Sequence, residues 1–191
     1  MVFISWCLAG KAQKESYKDS LLAYRKEYVD RHEVVGKDDK NYIHFYEVNK
    51  SYCVNANFKK ISDRVGFDMN TSTGKKDRYF KYGLLTFRLH DSLQHLYVYQ
   101  SEALMKKKEM KDYLFVPFGD ATSGFESYGA GRYIDLSIQD IKNNRLILDF
   151  NKAYNPYCAY VSGKFNCPIP PAENRLIVAI RAGEKAFRKS H

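Results

Sequence analysis

After its amino-terminal segment the chain has no apolar run long enough to span a bilayer, which takes about twenty residues. It has no C-x-x-C pair, and its 5 histidines are dispersed, so no four-ligand zinc set is completed by spacing. No metal and no cofactor are therefore expected. Helix-turn-helix, RNA-recognition and zinc-finger patterns are missing, as is any arginine-rich stripe. Nucleic-acid binding is not expected, even at a formal net charge of +9 that would suit an acidic partner. The lysines that carry this charge are scattered, with short clusters at Lys59-Lys60, Lys75-Lys76 and Lys106-Lys107-Lys108 that read as solvated surface. Thr122-Ser123-Gly124 and Tyr128-Gly129-Ala130-Gly131 do not lead into a helix, as a phosphate-holding glycine loop must. These glycines instead suit positive φ or a bulge. There is no internal repeat and no dividing linker.

What the chain does have is enough length and apolar content for one packed domain. It is 191 residues long, 45% hydrophobic and 15% aromatic, with 16 tyrosines against 12 phenylalanines. Such aromatics favour half-buried sheet faces. Residues 1–12, M-V-F-I-S-W-C-L-A-G-K-A, read as the tail of a signal peptide, with Gly10 and Ala12 at the positions a signal peptidase inspects. An exported, periplasmic or cell-envelope protein is the expectation, with a cytoplasmic location as the alternative. Cys7 as a lipoprotein cysteine is disfavoured by bulky Trp6, and an ordinary first strand is the plainer alternative.

Residues 13–191 are expected to form a single mainly-β domain with an N-terminal helix. The spacing predicts a helix over 16–30: Ser16 can cap it, and Tyr17, Leu21, Tyr24 and Tyr28 share a face. Arg25, Lys26 and Glu27 would face water. Such a helix would lie across a sheet edge or plug a barrel end. Strands are predicted around 44–46, 52–61, 85–89, 96–99, 114–118, 133–138, 146–150 and 176–181, with a loop over 65–78 and a short helix over 102–111. Strands without crossover helices imply an antiparallel sheet that closes as a barrel or folds as a sandwich.

Polar residues crowd the predicted strand ends between positions 115 and 184. Arg132 is in phase with Ile134, Leu136 and Ile138 and so points toward the core, where a guanidinium needs an anion. Asp120, Glu126, Asp149 and Glu173 are the internal candidates, and a ligand carboxylate or phosphate is the external one. Asp149 and Asn151 share a strand face. Asp120, with Asp149 or Glu173, could serve as general acid and base, or both aspartates could simply cap loop N–H groups. The expected site joins Asp120, Thr122, Tyr128, Arg132 and Asp149 to Asn151, Tyr154, Asn155, Glu173 and Asn174, and would take a small polar or anionic ligand. A hydrolase with paired carboxylates and a purely structural envelope module are the alternatives. Cys158 and Cys167 are expected to form a disulfide in an exported protein. Pro168, Pro170 and Pro171 follow, with one cis X-Pro bond possible there.

The stretches F-V-P-F-G-D-A-T-S-G-F-E-S-Y-G-A-G-R-Y-I-D-L, L-D-F-N-K-A-Y-N-P-Y-C-A-Y and C-P-I-P-P-A-E-N-R-L, with A-G-E-K, resemble the bacterial family numbered 1684 among domains of unknown function. Upstream Y-F-K-Y-G-L-L-T-F and L-Y-V-Y-Q-S-E-A-L-M-K-K match its pattern too, so the resemblance covers most of the chain after about Tyr42. It implies a fold neighbourhood and, because members often carry export signals, a location. It implies no reaction. Cys53 falls outside these motifs.

Overall fold

The computed structural model describes residues 5–188. The part of the export reading that rests on residues 1–4 lies outside them. The chain opens with helix α1, Ser5–Asp30, which starts upstream of the predicted cap and ends where the periodicity ends. Among the described residues no helix is long and apolar enough to cross a membrane.

Seven strands follow: β1 (Cys53–Lys60), β2 (Phe67–Asn70), β3 (Lys76–Leu89), β4 (Ser92–Ser101), β5 (Tyr113–Phe118), β6 (Arg132–Ser137) and β7 (Arg145–Asp149). They form one curled antiparallel half-barrel in the order β6-β5-β4-β3-β1-β7, with β2 paired to β3 off that path. The β3–β4 hairpin turns at His90 and Asp91, whose φ values of 47° and 62° are those of a type I′ turn. A register shift between Lys81 and Gly83 bends this hairpin. A Cβ on Gly83 would sit 2.1 Å from the Phe58 ring, so only glycine lets β1 and β3 pack here.

The sheet has two apolar faces, and strand alternation assigns residues to each. Leu85, Leu96, Val116, Phe118, Ile134, Leu148 and Phe150 belong to the main core. Met69, Tyr79, Tyr99, Phe115 and Tyr133 form a second, aromatic cluster. The free edges of the half-barrel are β6 and β7. Both line one cavity with α1, so the helix lies over the gap between them and covers edges that would otherwise offer unpaired backbone.

Several predicted elements differ. Residues 65–78 contain β2 and the start of β3, not just a loop. Residues 44–46 contribute only an isolated bridge, Phe45 to Glu184. The helix predicted over 102–111 shrinks to α2 (Glu102–Met105) followed by a single 3₁₀ turn. Residues 176–181 bend at Ile177 and Val178 and form no strand, because their backbone groups bond to side chains and loops instead of a ladder. Arg25 faces inward, not water: it is 7% exposed and donates to the carbonyls of Tyr46 and Asn151. Among the described residues no peptide bond is cis.

Candidate functional site

Two charged regions flank β6, one on each face. On the inner face Arg132 is fully buried and pairs with the equally buried Asp120, Nη2 to Oδ2 2.8 Å. Nη2 also donates to the Ile180 carbonyl, and Nη1 donates to those of Ala182 and Glu184. The other Asp120 oxygen accepts from the Thr122 N–H and hydroxyl and from the Ile180 N–H. Ion pair and backbone partners together satisfy the carboxylate and both terminal guanidinium nitrogens. This is how a buried charge escapes its desolvation penalty. Gly131, at φ +98°, turns the chain so that Arg132 can enter.

The other predicted site residues scatter around this network. Asn174 is buried and clamps β4 to β5 through the Tyr97 N–H and carbonyl and the Pro117 carbonyl. Asn151 and Asp149 lie under α1. The Asp149 carboxylate accepts from the Asn151 N–H and from Tyr17 on the helix. Asn155 holds the Glu184 carboxylate through its N–H, 2.9 Å. Tyr128 is half-buried. Glu173 is exposed, paired with Lys81 at 2.8 Å and bonded by the Tyr99 hydroxyl. Tyr154, Asp149 and Glu173 each line a different surface cavity. Sequence reasoning expected one recess. The structure distributes these residues over buried clamps and surface.

Glu184 was missed. It is fully buried and accepts hydroxyls from Tyr160 and from Tyr28 on α1, at 2.5 and 3.1 Å. Burial pushes its carboxyl up to about 7, against the lowering effect of its hydrogen bonds. It lies in the A-G-E-K tetrad, but nothing in that pattern marks the glutamate as buried. Only the docking of α1 does so.

The second charged region is a recess of about 480 Å³ between α1, β6 and the disulfide loop. Tyr24 and Tyr28 come from the helix, Tyr133 and Asp135 from β6, and Tyr154 and Phe165 from the loops beyond β7. The Tyr133 and Tyr154 rings meet edge to face, centroids 5.8 Å apart. The Tyr133 hydroxyl is taken by the Pro168 carbonyl, which leaves ring surface toward the cavity. The Cys158–Cys167 disulfide, Cα atoms 6.3 Å apart, ties the far wall.

Asp135 is the charged residue of this lining, and it was not among the predicted site residues. Its Oδ1 accepts from both Tyr113 and Tyr154 hydroxyls at 2.7 Å. No described residue donates to Oδ2. The side chain is exposed to solvent, yet the surrounding rings cost it hydration, which raises its pKa against the lowering effect of Tyr154 and Tyr113. A neighbouring cavity of about 640 Å³ shares Tyr24 and Asp135 and reaches Asp149, Cys53 and Lys152. Burial raises the Cys53 thiol, so this cysteine is not poised as a thiolate. A larger hollow of about 670 Å³ by β2 contains Lys81 and Glu173, which already pair with each other. Among the described residues no group of His, Cys, Asp and Glu is placed to hold a metal ion.

Fold and site together define a helix-capped antiparallel half-barrel with an aromatic recess under its helix. The chain belongs to the DUF1684 family, a family of proteins of unknown function, whose model matches residues 40–185. It is similar to an uncharacterised protein from gene locus rrnAC0354 of Haloarcula marismortui, known from a solution NMR structure. The two are 30% identical with a TM-score of 0.66, over 91% of this chain and 96% of that one. No curated protein matches.

Proposed function

We propose that this chain is a small-ligand-binding domain whose site is the recess between α1, β6 and the disulfide loop. The observation that supports it is Asp135: a solvent-accessible carboxylate at the foot of a tyrosine-walled hollow, with one oxygen committed to tyrosine hydroxyls and the other without a described donor. Concave aromatic walls with a few oriented polar groups are the usual make-up of a ligand site, and about 480 Å³ is within the usual size range. Arg132, by contrast, has no donor at its terminal nitrogens left for a ligand anion, and Asp120 has no exposed surface for acid–base work. Neither an anion clamp at Arg132 nor catalysis through Asp120 fits that burial. The disulfide in the recess wall suits an oxidising compartment, in keeping with export.

The test is a nuclear magnetic resonance fragment screen with polar small molecules of either charge and none. The expected result is hits whose shifts centre on β6 and the Tyr24 and Tyr154 rings. A screen whose hits all map elsewhere, or that yields none, sinks the proposal.

A further inference from the structure

The recess is an acidic, aromatic hollow in a strongly basic protein. With 31 lysines and arginines in the chain, basic side chains cover much of the surface, yet none lines this cavity. The charge that does line it is negative. Arg31 and His32, which line the adjoining surface hollow with Tyr24 and Tyr28, do not alter this. Arg31 is engaged by Glu27 at 3.0 Å, and burial lowers the His32 pKa, so the imidazole is neutral at physiological pH. Lys152 lines the neighbouring cavity, which shares Tyr24 and Asp135 with the recess, and not the recess itself.

The protein itself samples the contact that such a hollow offers. The Lys152 ammonium sits 5.4 Å from the centroid of the Tyr24 ring, within the range of a cation–π interaction. The Tyr133 and Tyr154 rings stand edge to face beside Asp135, and the hydroxyls of Tyr113 and Tyr154 hold one carboxylate oxygen in place. Ring faces that attract positive charge therefore surround a fixed, half-satisfied carboxylate. An anion brought here would meet Asp135 with no compensating donor. A neutral apolar ligand would bury that carboxylate unpaired, which is costly. An ammonium group satisfies both rings and carboxylate.

Resting on the reading of this recess as a ligand site, we infer that its ligand is an organic cation, an alkylammonium compound whose charged head is held between Asp135 and the faces of Tyr24 and Tyr154.

The experiment titrates the full chain with choline, with its neutral carbon isostere dimethylbutanol, and with pivalate, following backbone amide shifts and heat of binding. Choline is expected to bind with shifts at β6, and the other two are expected to bind at least ten-fold more weakly. Asp135→Asn, which keeps an acceptor for both tyrosines, is expected to weaken choline at least ten-fold with an unchanged melting temperature. Tyr24→Leu is expected to weaken it by a smaller factor. Equal binding of dimethylbutanol or pivalate at the recess would overturn the choice of a cation yet leave the ligand site standing. Failure of choline to bind would overturn the inference too, and the fragment screen would then decide separately whether the recess binds anything. Choline binding that survives Asp135→Asn also sinks it.

Discussion

Arg132 and Asp135 belong to the same strand, on opposite faces of β6, and their surroundings treat charge in opposite ways. Inside, Arg132 meets a carboxylate and three backbone carbonyls, and no water reaches it. Outside, Asp135 has one oxygen held by two tyrosines and the other accessible. The first arrangement locks the loop after β5 and the 176–184 segment onto the sheet. The second leaves an unmatched charge in a hollow. A buried guanidinium with an ion pair and both terminal nitrogens partnered is architecture, whereas a half-partnered charge in a concavity is where a ligand has something to gain.

The sharpest way to break this contrast is Arg132→Leu. It strands the Asp120 carboxylate and the carbonyls of Ile180 and Ala182, and a loss of about 3–5 kcal/mol in urea unfolding is expected, or outright failure to fold. A stable, well-folded variant would show that the interior pair is not structural.

Next is Glu184, whose buried carboxyl titrates at about 7 against 4.5 for the free side chain. Because the folded pKa is raised, the stabilisation is fully present below the unfolded value and is lost as pH rises through the folded one. Wild type should therefore lose about 3 kcal/mol relative to Glu184→Gln as pH rises from roughly 4.5 to 7. Parallel stability–pH curves for the two proteins would refute this.

Replacing both Cys158 and Cys167 with serine opens a loop of sequence separation 9 and should cost about 2–3 kcal/mol. It should also loosen the recess wall formed by Phe165 and Pro168, seen as faster amide exchange there and not in the Arg132 network. The smallest expected effect on stability is that of Asp135→Asn, within about 0.5 kcal/mol of wild type by thermal unfolding. A large destabilisation would mean that Asp135 is as structural as Arg132, and the contrast would collapse.

Much of the architecture was legible in the chain. Alternation at Leu85, Phe87 and Leu89, and at Leu96 and Val98, underlies the strands predicted over 85–89 and 96–99, which the structure joins as the central hairpin through His90 and Asp91. The phase of Arg132 with Ile134 and Leu136 correctly placed it toward the core. The 176–181 segment misled because Leu176, Val178 and Ile180 alternate like a strand, while tertiary partners, Asp120 and Arg132, took its backbone groups. Arg25 misled because a long side chain beside Lys26 and Glu27 looks solvated. Carbonyls of Tyr46 and Asn151, distant in sequence, captured it. Asp135 gave no sign at all, since one aspartate among the chain's 22 acidic residues carries no local mark of its surroundings.

Local periodicity, turn chemistry and the family's long motifs were thus enough to specify an antiparallel sheet, a leading helix, a disulfide and an inward arginine, because each depends on neighbours close along the chain. Which carboxylate is sealed and which is left open was decided only when the 176–184 segment packed onto Asp120 and Arg132 and α1 settled over the gap between β6 and β7. Solvation depends on what packs in from distant segments, and that is a property of the folded surface.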